Sequence, residues 1–146
     1  MSRMVFPNLA VEDLDRAVAF FTELGFTFDE RFTDDTATAM VVNEQAVVML
    51  LTKAKFAEFT TRDLANPTKQ TEAIIALSAD SREDVDAFAD KALAVGGSPA
   101  KEPIDLEFMY GRSFHDPDGH HWEIFWMDPA ALERGPAQAA GAAQSS

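Results

Sequence analysis

The chain has no cysteine among its 146 residues, so disulfides, thiolate metal sites and cysteine nucleophiles are all excluded. It has no apolar run long enough to cross a bilayer and does not open on a basic-plus-apolar leader. The cytoplasm is therefore the expected location. Basic residues are in the minority, 12 against 25 acidic, for a net charge of −13. That balance repels phosphate backbones and anionic lipid, so neither nucleic acid nor membrane is an expected partner, whereas a cationic small molecule suits it. The Gly-rich Lys-Ser/Thr phosphate loop is absent. Ser113 has no visible His-Asp partnership, which leaves nucleophilic hydrolysis without support. Hydrophobic residues make up 47% of the chain, enough for a real core.

The most informative segment runs from Gly111 to Trp126. Asp116-Pro117-Asp118-Gly119 is turn chemistry: Pro presets φ, Asp bonds its own backbone and Gly accepts positive φ. Its flanks are rich in Phe, Trp and Ile, as strands are. The segment predicts a hairpin with Glu123 set among aromatics on the return strand. A buried carboxylate must be paired with a cation, bound to a metal or protonated. With four turn residues left unpaired, Arg112 falls opposite Glu123 and is expected to neutralise it. His121 lies two residues before Glu123, on the same strand face, so those two are the ligands of a shifted metal site if one exists. The plainer reading makes His115, His120 and His121 polar residues near a hairpin end.

One supersecondary unit is written twice. An apolar opening, Met4–Val11, leads to a predicted helix over Glu12–Leu24 stopped by Gly25. Strands are predicted at Phe26–Phe32, Ala37–Val42 and Ala46–Thr52. The second copy starts at Ala73–Ser78 and continues with a helix over Arg82–Val95 stopped by Gly96-Gly97. Strands follow near Ser98–Pro103, Phe108–His115 and His120–Met127. Aligning Gly25 with Gly96 also brings Asp13 onto Asp84 and Leu14 onto Val85. The expected organisation is a first module over 1–59, a linker or flap over 60–71, a second module over 72–129 and a flexible tail over 130–146.

Val11-Glu12-Asp13-Leu14, Ala19-Phe20-Phe21 and Leu24-Gly25-Phe26, with the closing Asp116-Pro117-Asp118-Gly119 and Trp122-Glu123-Ile124, resemble the vicinal-oxygen-chelate superfamily. That superfamily includes glyoxalase I, bleomycin-resistance proteins, fosfomycin-resistance enzymes and extradiol dioxygenases. The resemblance implies an α+β fold of paired βαβββ modules whose curved mixed sheets form a cleft. It also implies a homodimer. Metal-dependent relatives place ligands at inward positions that correspond here to Phe6, Leu50, Ile74 and Glu123, of which only Glu123 has a lone pair to give a divalent ion. No cofactor is therefore expected, a divalent metal being the alternative. The resemblance then implies a small-organic-molecule binder of the bleomycin-resistance kind, its cleft lined by Phe6, Asn8, Leu50, Ile74, Tyr110, Arg112, His121 and Phe125. The alternative is a lyase or isomerase like lactoylglutathione lyase, with Glu123 as catalytic base or metal ligand.

Overall fold

A computed structural model describes residues 2–134. By its contacts the chain divides into unit 1, residues 1–72 with 117–119, and unit 2, the remainder.

Unit 1 opens with β1 (Asn8–Val11) and α1 (Leu14–Glu23). The Asp13 side chain caps α1 by accepting from the Arg16 amide at 3.1 Å. Ala17, Phe20 and Phe21 form its buried face. Gly25, at φ +98°, ends the helix, as a left-handed position demands. The strand predicted over Phe26–Phe32 is cut short. β2 covers only Thr27–Asp29, because the Asp29 carboxylate turns back onto the Arg31 amide and starts a 3-10 turn over Glu30–Phe32. β3 (Ala37–Asn43) and β4 (Ala46–Thr52) complete a curved mixed sheet in the order β1-β4-β3-β2, with β1 parallel to β4. Upstream of β1, Val5 and Pro7 accept from the amides of Val47 and Met49. Pro7 thus sits where no amide is needed.

A short helix, α2 (Lys53–Ala57), follows. The stretch expected as a linker or flap contains a turn knitted around Asn66, which accepts from Thr68, Lys69 and Gln70. Residues 117–119 also belong to unit 1. Asp118 is 7% exposed and accepts from the Glu12 amide (2.8 Å) and the Arg16 guanidinium (2.9 Å).

Unit 2 repeats the plan with β5 (Ile74–Ser78) and α3 (Arg82–Ala94). Ser81 caps α3 through the Asp84 amide, and Gly96, at φ +126°, follows its end. The strand predicted near Ser98–Pro103 is two short pieces, β6 (Ser98–Pro99) and β7 (Ile104–Leu106), each antiparallel to β8 (Met109–His115). β9 (His121–Met127) lies between β8 and β5, parallel to β5. Residues 129–134, expected in a flexible tail or at its edge, form α4 (Pro129–Arg134), started by Asp128 and fixed by the buried Ala131. The remainder of that predicted tail lies outside the described residues. Among the described residues, no helix is long and apolar enough to cross a membrane.

The fold class is α+β, with two curved mixed sheets, neither of them closed. Each helix covers one face of its sheet, and alternation along the strands assigns every side chain to the helix side or to the open side. In unit 1 the helix side holds Leu9, Val11, Met40, Val48 and Leu50, all at most 4% exposed. In unit 2 it holds Phe114, Trp122 and Ile124, all at most 3% exposed.

Candidate functional site

The open face of unit 1 is apolar. Phe6 and Asn8 project from the opening segment, with Asn8 in register with Met49, Met49 with Ala39, and Val47 with Val41. Phe6, Ala39, Val41, Val47 and Met49, with Met4 and Phe32, line a concavity of about 460 Å³. Asn8, expected in the cleft, is not part of its wall and donates its side-chain amide to the Phe6 carbonyl at 2.8 Å. Phe6 and Phe32 are strongly exposed, at 50% and 61%. Its polar rim is one ion pair. Arg31 grips Asp29 in a two-point contact at 3.1 and 2.8 Å and lies 5.6 Å from the Phe32 ring centre. The side-chain hydrogen bond, more than any other influence, holds the Asp29 pKa below its ordinary value and raises that of Arg31.

Leu50, expected to line a cleft, is instead fully buried on the helix side, in register with Leu9 and Thr38. Met49 takes the open-side position. The run Val47-Val48-Met49-Leu50-Leu51 is apolar on both faces, so alternation does not reveal its phase. Phe32 also escapes sequence reasoning, because it reaches the concavity through the 3-10 turn rather than as part of a strand.

In unit 2 the hairpin register decides the site. His115 pairs with His121, so Ser113 stands opposite Glu123 and Arg112 opposite Ile124. The expected Arg112–Glu123 pair does not form. Arg112 lies on the helix side and bonds Asp86 (3.0 Å) and Asp90 (2.7 Å) of α3. Burial opposes the charge on Arg112, but the bonds to Asp90 and Asp86 outweigh it and raise its pKa. Tyr110, also expected in the cleft, is on the helix side too, with its hydroxyl donating to Asp86 at 2.6 Å. That hydrogen bond is the main reason that the Asp86 pKa is lowered and the Tyr110 pKa raised.

The slip comes from the turn. The Asp116 amide donates to the His120 carbonyl (3.0 Å), and the Asp116 carboxylate accepts from the His120 amide (3.1 Å) and the Trp122 indole (2.9 Å). Asp116 and His120 therefore close a three-residue loop, Pro117-Asp118-Gly119, with Gly119 at φ +97°. The motif's first Asp is consumed by the fold.

The open side of unit 2 carries Glu123, His121, Phe125, His115 and Ser113, and on β5 Ile74 and Ala76. A Glu123 carboxylate oxygen lies 3.4 Å from Nε2 of His121. The His121 side chain is 10% exposed, and its Nε2 is buried without a hydrogen-bond partner. The His115 ring meets it edge-on, 5.5 Å between centres. The donor set does not fit a catalytic divalent ion. Among the described residues, no three His, Asp or Glu side chains converge, and one His beside one Glu falls short of the three protein ligands such an ion needs.

A duplicated βαβββ unit with an open strand face in each half defines a class of proteins that hosts several chemistries on one frame. The family model for the Glyoxalase/Bleomycin resistance protein/Dioxygenase superfamily matches residues 3–124, and the chain belongs to that superfamily. No curated protein matches it. Among solved structures, it is similar to a hypothetical protein from S. aureus: 28% identity, 86% of this chain and 94% of that one covered, TM-score 0.73. It is also similar in fold to a family enzyme from Burkholderia phytofirmans (16% identity, 86% and 99% covered, TM-score 0.71). A third is the fosfomycin resistance protein FosX from Listeria monocytogenes, solved with Mn(II) and sulfate (17% identity, 92% and 98% covered, TM-score 0.67).

Proposed function

We propose that this protein binds a small apolar or aromatic molecule without a catalytic metal, as a binding member of its superfamily. The observation that carries this reading is the apolar concavity of about 460 Å³ on the open face of unit 1. Its volume falls within the ~300–1,000 Å³ typical of small-molecule pockets. Its walls are Phe, Met and Val side chains, and its one charged pair is already internally satisfied. Among the described residues no third metal donor joins His121 and Glu123, which supports the metal-free half of the reading. The family resemblance adds a homodimer, which light scattering at micromolar concentration tests.

The test of binding combines two measurements. Protein purified without chelator is expected to hold substoichiometric transition metal. A panel of small aromatic molecules is expected to contain members that raise its melting temperature, as any ligand selective for the folded state must. Met49→Lys, which puts a charge on the concavity wall, abolishes that stabilisation. Stoichiometric metal together with turnover of the methylglyoxal–glutathione adduct would replace this reading with a glyoxalase-type lyase.

A further inference from the structure

The open face of unit 2 holds a carboxylate that, among the described residues, has no Lys or Arg within ion-pairing distance. Glu123 is 34% exposed, and among the described residues His121 is its one ion-pairing contact. Arg112, expected from the sequence to pair with it, is committed to Asp86 and Asp90 on the helix side. Beside Glu123 in register stand Ala76 on one strand and Ser113 on the other. The Ser113 hydroxyl already accepts from the Lys101 amide at 3.0 Å. Ile74, 56% exposed, and Phe125 give the same face an apolar floor.

His121 makes this arrangement a built one. Its side chain is nine-tenths buried, and its unpartnered Nε2 faces one oxygen of Glu123 at 3.4 Å. An imidazole held in that position restricts the carboxylate without saturating it, since an ionised carboxylate accepts at about four lone-pair positions. A group that brings a positive charge and parallel N–H donors gains charge-assisted bonds about twice as strong as neutral ones. The chain's net charge of −13 raises the local concentration of cations at such a site.

We propose that Glu123 and His121 form a receptor for an organic cation with N–H donors (an amidinium, guanidinium or primary ammonium) whose apolar body rests on Ile74 and Phe125. Glu123 makes the contact and His121 is its positioning residue. The site belongs to unit 2 and stands whether or not the unit 1 concavity takes a ligand.

Benzamidine and benzamide share a shape and differ in charge, which makes them suitable probes. Titrated into labelled protein, benzamidine is expected to shift the His121 imidazole and the β9 amides. Benzamide should bind the same face about tenfold more weakly or worse. Glu123→Gln should remove the preference by weakening benzamidine and leaving benzamide unchanged. His121→Phe should weaken benzamidine severalfold while retaining some preference. If Glu123→Gln fails to fold, the decisive readout is the salt dependence of benzamidine binding to the wild type, which falls as salt screens the ion pair. The proposal is overturned by equal affinity for the two probes, by a preference that survives Glu123→Gln, or by binding of neither. Saturable Mn(II) binding at β9 that excludes benzamidine overturns it as well. Loss of aromatic-ligand stabilisation in Met49→Lys concerns the unit 1 concavity alone, so the two readings fail separately.

Discussion

The two halves build the same helix-on-sheet layer from opposite materials. In unit 1 the helix supplies the bulk: it buries Phe20 and Phe21, and the helix-side strand residues are Leu9, Val11, Thr38, Met40, Val48 and Leu50. In unit 2 the fully buried helix residues are the small Val85, Ala89 and Ala92, with Phe88 half-buried beside them, and the sheet supplies the fully buried rings, Phe114 and Trp122. A close-packed interior constrains the total volume between two layers, not which layer provides it. The edges of the two helix-side cores differ as well. In unit 2 the core runs out into a polar cluster of Tyr110, Arg112, Asp86 and Asp90, whereas the buried strand residues of unit 1 are apolar apart from Thr38, whose hydroxyl meets that of Thr33 at 2.8 Å.

The largest effect should come from removing the bulk wherever it is stored. Trp122 and Phe21 are both at most 1% exposed, so Trp122→Ala and Phe21→Ala should each cost about 3–5 kcal/mol in urea unfolding. A cost near that of a surface substitution for either one would break the equivalence of the two layers.

Next come the glycines. Gly25 and Gly119 both have positive φ, +98° and +97°. An added Cβ at Gly25 meets nothing within 4 Å, while at Gly119 it meets the Pro67 carbonyl oxygen at 2.6 Å. Gly25→Ala should cost only the left-handed penalty, about 1–2 kcal/mol. Gly119→Ala should cost that and also displace the backbone around Pro67. Equal melting temperatures for the two variants would mean that the Pro67 turn yields freely.

The sequence made the fold legible because local signals agreed: capping Asp13 and Ser81, left-handed Gly25 and Gly96, and apolar helical faces. The strand faces were legible only where one side of a strand is polar. Phe6, Asn8, Ile74, His121, Glu123 and Phe125 project to the open sides. Leu50 was misplaced because β4 is apolar on both faces, so no alternation betrays its phase. Tyr110 and Arg112 were misplaced because the hairpin loop has three residues where the motif suggested four, and a shift of one residue sends every side chain on β8 to the other face. What fixed the loop, the Asp116 carboxylate taking both the His120 amide and the Trp122 indole, is a tertiary bond invisible in composition.

That misplacement yields the smallest and most discriminating prediction. In a double-mutant cycle, Arg112 and Glu123 should show no coupling, since they lie on opposite faces of the sheet, whereas Arg112 and Asp86, a half-buried pair, should couple by about 1 kcal/mol. Tyr110→Phe removes a single hydrogen bond and should cost about 1 kcal/mol at neutral pH. Its pH dependence follows from the directions of the two shifts. The folded pKa of Asp86 lies below the ordinary 3.8, so its contribution is complete above that value and lost as pH falls through the folded one. The folded pKa of Tyr110 lies above the ordinary 10.0, so its contribution is complete below that value and lost as pH rises through the folded one. The stability gap between wild type and Tyr110→Phe should therefore be flat across the neutral range and close at both extremes. A gap that persists into strong acid would place the Tyr110 hydroxyl on a partner other than the Asp86 carboxylate, and the polar edge of unit 2 would then have to be redrawn.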